Sequence, residues 1–267
     1  MIPGYNTPRP NVKQYRAFEE RFIRILEATG IPFSLLLYGS YARGSFIPGK
    51  SDIDGLLVLP GNVVTNKDHL SAAARAVFSA QKDNDIPLQL CVGDWQTLSD
   101  GRFNDYTSDF AEYLAVDGKL VLGKDPRSEM LCEVAKTGPH LKLAFNLRKA
   151  RNALLYAPYR VEKDPEKLVR SFGDTLDNVA RASTQILRLR DGSLRSERFS
   201  AVEELVRVYP LVHIGPLHDI KDLYTHLELL DQIYKDPQRM IHLMQRSTTC
   251  FEQILEAYMR EFPRSEI

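Results

Sequence analysis

Asp52 and Asp54 stand one residue apart where an apolar run, Ile53 to Leu59, begins. Residues at i and i+2 of a strand lie on the same face. Two carboxylates so placed repel each other unless a cation sits between them, which suits the pair to a divalent metal. Mg²⁺ takes one or two protein carboxylates and completes its shell with water and substrate phosphates. Upstream, Leu36-Leu37-Tyr38 runs into Gly39-Ser40 and then Tyr41-Ala42-Arg43-Gly44. A strand, a glycine turn and a helix start form a phosphate-binding arrangement, because the first helical N–H groups lack intrahelical partners and carry partial positive charge. Gly39 lets the backbone approach an anion closely, and the Ser40 hydroxyl adds a donor. Arg43, about one helical turn on, could reach the same anion. A lone Asp-x-Asp or a lone Gly-Ser turn is common on protein surfaces. Joined by the linker 45–51, the two point to nucleotide chemistry.

The elements that must hold these residues are legible on either side. Tyr15, Phe18, Phe22, Ile25 and Leu26 recur at helical steps, so a helix is predicted over 12–29, stopped by Gly30. Pro32 opens a buried strand, 33–38, and Pro60-Gly61 closes the second, 53–59. A helix over 66–82 turns Leu70, Ala73, Ala74 and Val77 inward. A third strand, 86–92, follows the Asp83-Asn84-Asp85 cluster. A short helix near 107–116 and a strand, 119–122, complete an α/β (α+β) domain with a short mixed sheet over 1–126, whose residues 1–11 form an extended arm. Beyond Pro126 the spacing turns helical throughout. Helices are predicted over 129–136, 140–156, 165–189, 198–208, 217–234 and 237–261, an all-α bundle spanning 127–267.

The segment 38–58 resembles the nucleotidyltransferase superfamily with the DNA polymerase β-like fold, whose members carry Gly-Ser followed about a dozen residues later by Asp-x-Asp. The likeness extends over about 12–126 in element order. Gly118-Lys119-Leu120-Val121-Leu122-Gly123 also looks like the closing strand of small members. Size and the helical second half look most like antibiotic (aminoglycoside or lincosamide) nucleotidyltransferases, with minimal nucleotidyltransferases bearing a helical domain as close rivals. The resemblance implies that Gly39 and Ser40 hold the triphosphate of ATP or another NTP, with Arg43 as a further contact. It implies that Asp52 and Asp54 hold Mg²⁺ as catalytic and metal residues. The superfamily usually places a third carboxylate on the strand read here as Ile86 to Val92, and the facing residue is Gln89, an amide that cannot accept a proton near neutral pH. The expected activity is transfer of NMP, AMP from ATP, to a small-molecule hydroxyl with release of pyrophosphate, the helical domain binding the acceptor. Alternatives are AMPylation of a protein partner, as in antitoxin systems, and a nucleotide-binding module that has lost turnover. Small members often pair to complete the active site, so a homodimer also follows from the resemblance.

Other candidates fare worse. Asp94 lies past the strand end, and Asp109 and Glu112 lie on the next helix; each reads as a solvated group before it reads as a base. Arg207 and His213 are spaced like the Arg-His pair of HEPN ribonucleases, but Pro210 between them would break the helix such a pair needs. Arg151-Asn152 begins the same motif with no His at the right distance. Arg148, Lys149 and Arg151 could face a triphosphate, and Asp174 with Asp177 a cationic acceptor, although both spacings are ordinary for exposed helix faces. The histidines lack an H-x3-H pair, so zinc is not expected. Cys91, in an apolar strand, reads as core.

Composition sets the frame. The chain has 267 residues, 35 Lys+Arg against 35 Asp+Glu, and a net charge of zero, which argues against nucleic-acid neutralisation as its main task. Cys91, Cys132 and Cys250 are far apart and odd in number, which favours a reducing compartment. No apolar run reaches the ~18–20 residues that span a bilayer, and the N-terminus lacks a basic-then-apolar pattern. The expected setting is cytoplasmic, with no membrane partner.

Overall fold

The computed structural model describes residues 9–61, 67–82, 86–101, 108–131, 139–195 and 197–263. The expected arm up to residue 8, the cluster 83–85, most of the helix 129–136, Cys132 and the Asp109 side chain lie outside the described residues. The chain divides into two compact units, one within Thr7–Ala135 and the other centred on Lys136–Ile267.

The first unit is an α+β domain around four strands, β1 (Ser34–Tyr38), β2 (Ile53–Leu59), β3 (Leu88–Asp94) and β4 (Lys119–Leu122), in the order β3-β2-β1-β4. β1 pairs antiparallel with β2 and with β4, whereas β2 and β3 run parallel, a mixed sheet. Parallel neighbours need a long crossover, supplied by the helix α3 (Lys67–Gln81). β1 is buried along its whole length, which is why it reads as an unbroken apolar run rather than an alternating one. One sheet face, with Leu35, Leu37, Ile53, Leu57 and Leu59, packs with α1 (Val12–Glu27) and α3. The other, with Leu36, Tyr38, Leu56 and Val58, packs with Leu98 of α4 (Trp95–Asp100) and Leu114 of α5 (Ser108–Asp117). Each fully buried Leu or Ile contributes about 1.5–3 kcal/mol of transfer free energy.

α1 begins with a capping box, Asn11 and Gln14 each bonding the other's backbone N–H, and buries Tyr15, Phe18, Phe22 and Leu26. α3 buries Ala72, Ala73, Ala76 and Ala80; Leu70 and Val77 are half-buried, and Ala74, expected inward, faces solvent. This alanine stripe, with its small side chains, seats the helix against α1. β3 starts at Leu88 rather than Ile86, because Pro87 has no N–H to give a ladder; its carbonyl accepts from Ile53 N at 2.8 Å.

The second unit is all helical: α6 (Pro139–Leu155), α7 (Ala157–Lys163), α8 (Pro165–Asp191), α9 (Ser200–Val208), α10 (Gly215–Thr225), α11 (Leu227–Tyr234) and α12 (Pro237–Glu261). α8 and α12 form its spine against α6. Two details differ from expectation. The run 217–234 is two helices broken at His226, and Pro158 opens the short α7 instead of merely separating its neighbours. No helix among the described residues is long and apolar enough to cross a membrane.

Candidate active site

The site residues gather at one end of the sheet, where β1 ends and β2 and β3 begin. Tyr38, the last residue of β1, pairs with Asp54, and Asp54 pairs with Gln89 on the other side. Directly paired residues share a sheet face, so Tyr38, Asp54 and Gln89 form one row across three strands. Asp52, two residues before Asp54, extends that row just outside β2.

Gly39 opens α2 (Gly39–Arg43) with φ of +76°, in the left-handed region that favours glycine. A Cβ there would lie 2.5 Å from Asp54 Oδ2. The Asp54 carboxylate therefore lies directly against the backbone that starts α2, and only glycine leaves it room. No side chain caps the first turn of α2 among the described residues, so donors and carboxylate face one small region.

This donor set suits a hard divalent cation that shares its shell with a substrate. Asp52 and Asp54 offer two carboxylates, and Gln89 stands in register with Asp54 on the neighbouring strand. Among the described residues no group of three or more His, Cys, Asp or Glu could form an all-protein cage. The pair alone matches the way Mg²⁺ is bound in the company of phosphates.

The loop from α2 to Asp52 is tied down from α1. Tyr15, fully buried, donates its hydroxyl to Ser51 O at 2.6 Å and accepts from Gly49 N at 3.2 Å. Burial raises the pKa of Tyr15, the Gly49 bond works against that, and the Asp52 charge raises it further, so the hydroxyl keeps its proton. Arg9 Nη1 donates to Gly49 O at 3.2 Å, and Ile47 N donates to Ser51 Oγ at 2.9 Å.

Arg43, expected as a phosphate contact, is committed elsewhere. Its Nη1 donates to Asp117 Oδ2 at 2.5 Å and to Tyr113 Oη at 2.9 Å, and the guanidinium lies 5.7 Å from the Tyr113 ring centroid. Burial disfavours the charge, but these two partners outweigh it and raise the Arg43 pKa. Arg43 pins α2 to α5, a role that only the folded chain reveals, because Asp117 lies 74 positions away.

Asp94, read as solvated, is instead buried. It caps α4, accepting from Thr97 N at 2.9 Å and Thr97 Oγ1 at 2.9 Å. It also falls on the opposite face from Gln89 and ~16 Å along the strand, too far to complete the row. Glu112 is exposed on α5. Cys91 is half-buried on the face of Tyr38, whose Oη lies 3.4 Å from its Sγ.

In the helical unit the sequence candidates serve packing or solvation. Arg148 and Lys149 lie over Phe145, Arg151 pairs with Glu252 at 2.8 Å, and Asp177 takes Arg198 at 2.7 Å and the Tyr224 hydroxyl at 2.6 Å. Arg207 ends α9 whereas His213 lies in the following loop, so the two share no helix. A cleft of about 600 Å³ between α6, α7 and α8 mixes Lys149, Arg160, Lys167 and Arg170 with Asp164, Glu166 and Asp174. A second cleft, of about 500 Å³ beside Trp95 and Lys124, lies at the far end of the sheet, so neither contains the aspartate pair.

Comparison with known proteins agrees with the geometry. Curated proteins include none that matches the chain. The model of the nucleotidyltransferase domain family matches residues 19–92, from α1 through most of β3 and across every residue of the row. That match supports transfer of a nucleotidyl group, with a nucleotide as substrate. Residues 19–92 thus carry a nucleotidyltransferase domain that fits the DNA polymerase β-like nucleotidyltransferase superfamily.

Proposed function

We propose that this protein is a Mg²⁺-dependent nucleotidyltransferase that moves AMP from ATP to a hydroxyl of a small molecule, such as an aminoglycoside-type antibiotic, and releases pyrophosphate. The observation that carries this reading is the close approach of Asp54 to Gly39, which brings a metal-holding carboxylate against a phosphate-holding helix start. Asp52 and Asp54 would hold the metal, and Gly39 and Ser40 the triphosphate. A bound Mg²⁺ would neutralise the phosphates and lower the cost of charge building on the leaving pyrophosphate. The acceptor oxygen forms a bond to the α-phosphorus as the bond from that phosphorus to the bridging oxygen breaks. Gln89 cannot take the proton the acceptor loses, so it passes to an aspartate carboxylate or to solvent. Rate then comes mainly from alignment and charge stabilisation. The helical unit is assigned the acceptor, and a reducing cytoplasm the setting.

Calorimetric titration with ATP, GTP, CTP and UTP, with and without Mg²⁺, tests the first half. Mg²⁺-dependent binding is expected, strongest with ATP. Mass spectrometry then looks for a nucleotide adduct on aminoglycosides, lincosamides and co-purified proteins. No binding of any triphosphate overturns the reading.

Gln89 favours one second reading, a nucleotide-binding module with little turnover. Its place beside Asp54 is where a third carboxylate would act, and an amide stands there. Gln89→Glu separates the two: a large gain in transfer supports the module, and brisk wild-type turnover removes it.

A further inference from the structure

The path between the two halves of the site runs through the loop 44–51, and its far end is anchored from a helix that carries none of the site residues. Ser45 N donates to Ser40 O at 3.0 Å, which ties the start of the loop to α2. At the other end a single hydroxyl, that of Tyr15, bonds Gly49 N and Ser51 O together, one residue before Asp52. The ring that carries it is wedged between Tyr41 of α2, at 5.9 Å between centroids, and Phe46 of the loop, at 4.9 Å. Tyr41 and Phe46 also meet each other at 5.0 Å. Arg9 grips the same turn through Gly49 O, and Gly49 has φ of +80° with no space for a side chain against Arg9. Core packing alone would be served equally by phenylalanine at position 15. The hydroxyl is spent wholly on the backbone next to Asp52.

We infer that Tyr15 is a positioning residue for the metal pair: its hydroxyl fixes where Asp52 leaves the loop, and so the separation of Asp52 from Asp54 and from the α2 start. The inference rests on the nucleotidyltransferase reading and adds to it a determinant outside the signature motif. A loosened Asp52 weakens a shell made of two carboxylates, because neither position has a spare ligand among the described residues. Triphosphate recognition by α2 itself is untouched. The expected signature is therefore a change in Mg²⁺ demand, larger than any change in metal-free nucleotide affinity.

The test uses the full chain and Tyr15→Phe, which keeps the ring and removes the clamp. The Mg²⁺ concentration giving half-maximal ATP binding is read by calorimetry, with Tyr224→Phe as control; that variant loses an equally buried hydroxyl bond in the helical unit. Tyr15→Phe should raise the half-saturating Mg²⁺ about tenfold, the scale seen when a ligand's supporting partner is lost, while Tyr224→Phe leaves it unchanged. Arg9→Met, at the half-buried edge of the same turn, should move it in the same direction by less. It serves as the readout if Tyr15→Phe proves too unstable to titrate. An unchanged Mg²⁺ requirement in these variants, with a wild type that binds Mg-ATP, overturns the positioning role alone. A wild type that binds no Mg-triphosphate removes the nucleotidyltransferase reading and this inference with it.

Discussion

Asp177 and Asp52 show how differently the two units use a carboxylate. In the helical unit Asp177 is met by the Arg198 guanidinium and the Tyr224 hydroxyl, and Tyr209 and Arg190 both bond Glu261. Arg195 bridges Asp191 and Glu204, each at 2.5 Å. In the sheet unit Asp52 makes no ion pair among the described residues, and Asp54 is placed by strand register against a glycine. Two cations of this unit pair within it, Arg43 with Asp117 and Lys119 with Glu19. The helical unit ties its acids to arginines and tyrosines along its helices, whereas the sheet unit sets two carboxylates at one strand end by backbone register, the arrangement on which the proposed metal site rests.

The contrast breaks most visibly at the pair itself. Asp52→Asn with Asp54→Asn should abolish Mg²⁺-dependent triphosphate binding, by more than ~100-fold, since both carboxylates are lost at once and supporting partners alone are worth 10–100-fold. Thermal unfolding of that variant should change little beside the loss of binding; a large fall would make the aspartates structural.

Next comes Gly39→Ala, which should damage both properties together. The left-handed φ costs about 1–3 kcal/mol for alanine, and the new methyl displaces the Asp54 carboxylate, so denaturant midpoint and nucleotide affinity fall in parallel.

Tyr224→Phe should show the opposite pattern. It loses a hydrogen bond to a charged group, worth about 1.5–3 kcal/mol, with nucleotide binding intact. Loss of binding here would blur the line between the units.

The smallest effect concerns pH. The Arg195 hydrogen bond holds Asp191 down at about 2, so its contribution is present above the ordinary carboxylate pKa and is lost as pH falls through that of the folded state. Arg195→Met should remove this acid-limb dependence and lower Tm by about 2 °C or less at pH 7, because Asp191 itself lies at the surface, where water screens the pair.

Much of the sheet unit is legible in the sequence because its signals are local. Gly39-Ser40 and Asp52-Ile53-Asp54 lie within one β1–α2–β2 passage, and the apolar strands on either side fix their faces. What escapes is non-local. Nothing near Arg43 announces Asp117 or Tyr113, and nothing near Tyr15 marks it as other than one more inward helix position. Asp94 looks like a surface acid because its cap partner, Thr97, is an ordinary helix residue. The break at His226 escapes for another reason: Leu223-Tyr224-Thr225-His226-Leu227 holds neither proline nor glycine, yet His226 leaves the helical region at φ −122° and ψ 79°.

Gln89 occupies an outer strand, in register with Asp54 yet exposed, and its side chain supports no core. Exchanging it for Glu alters neither volume nor packing, and in the genetic code the two residues differ by a single nucleotide. If the proposed reaction runs at this sheet end, a lineage carrying this fold could adjust its chemical power at position 89 without risking its ability to fold, which would make the position an inexpensive dial for evolution or for an engineer.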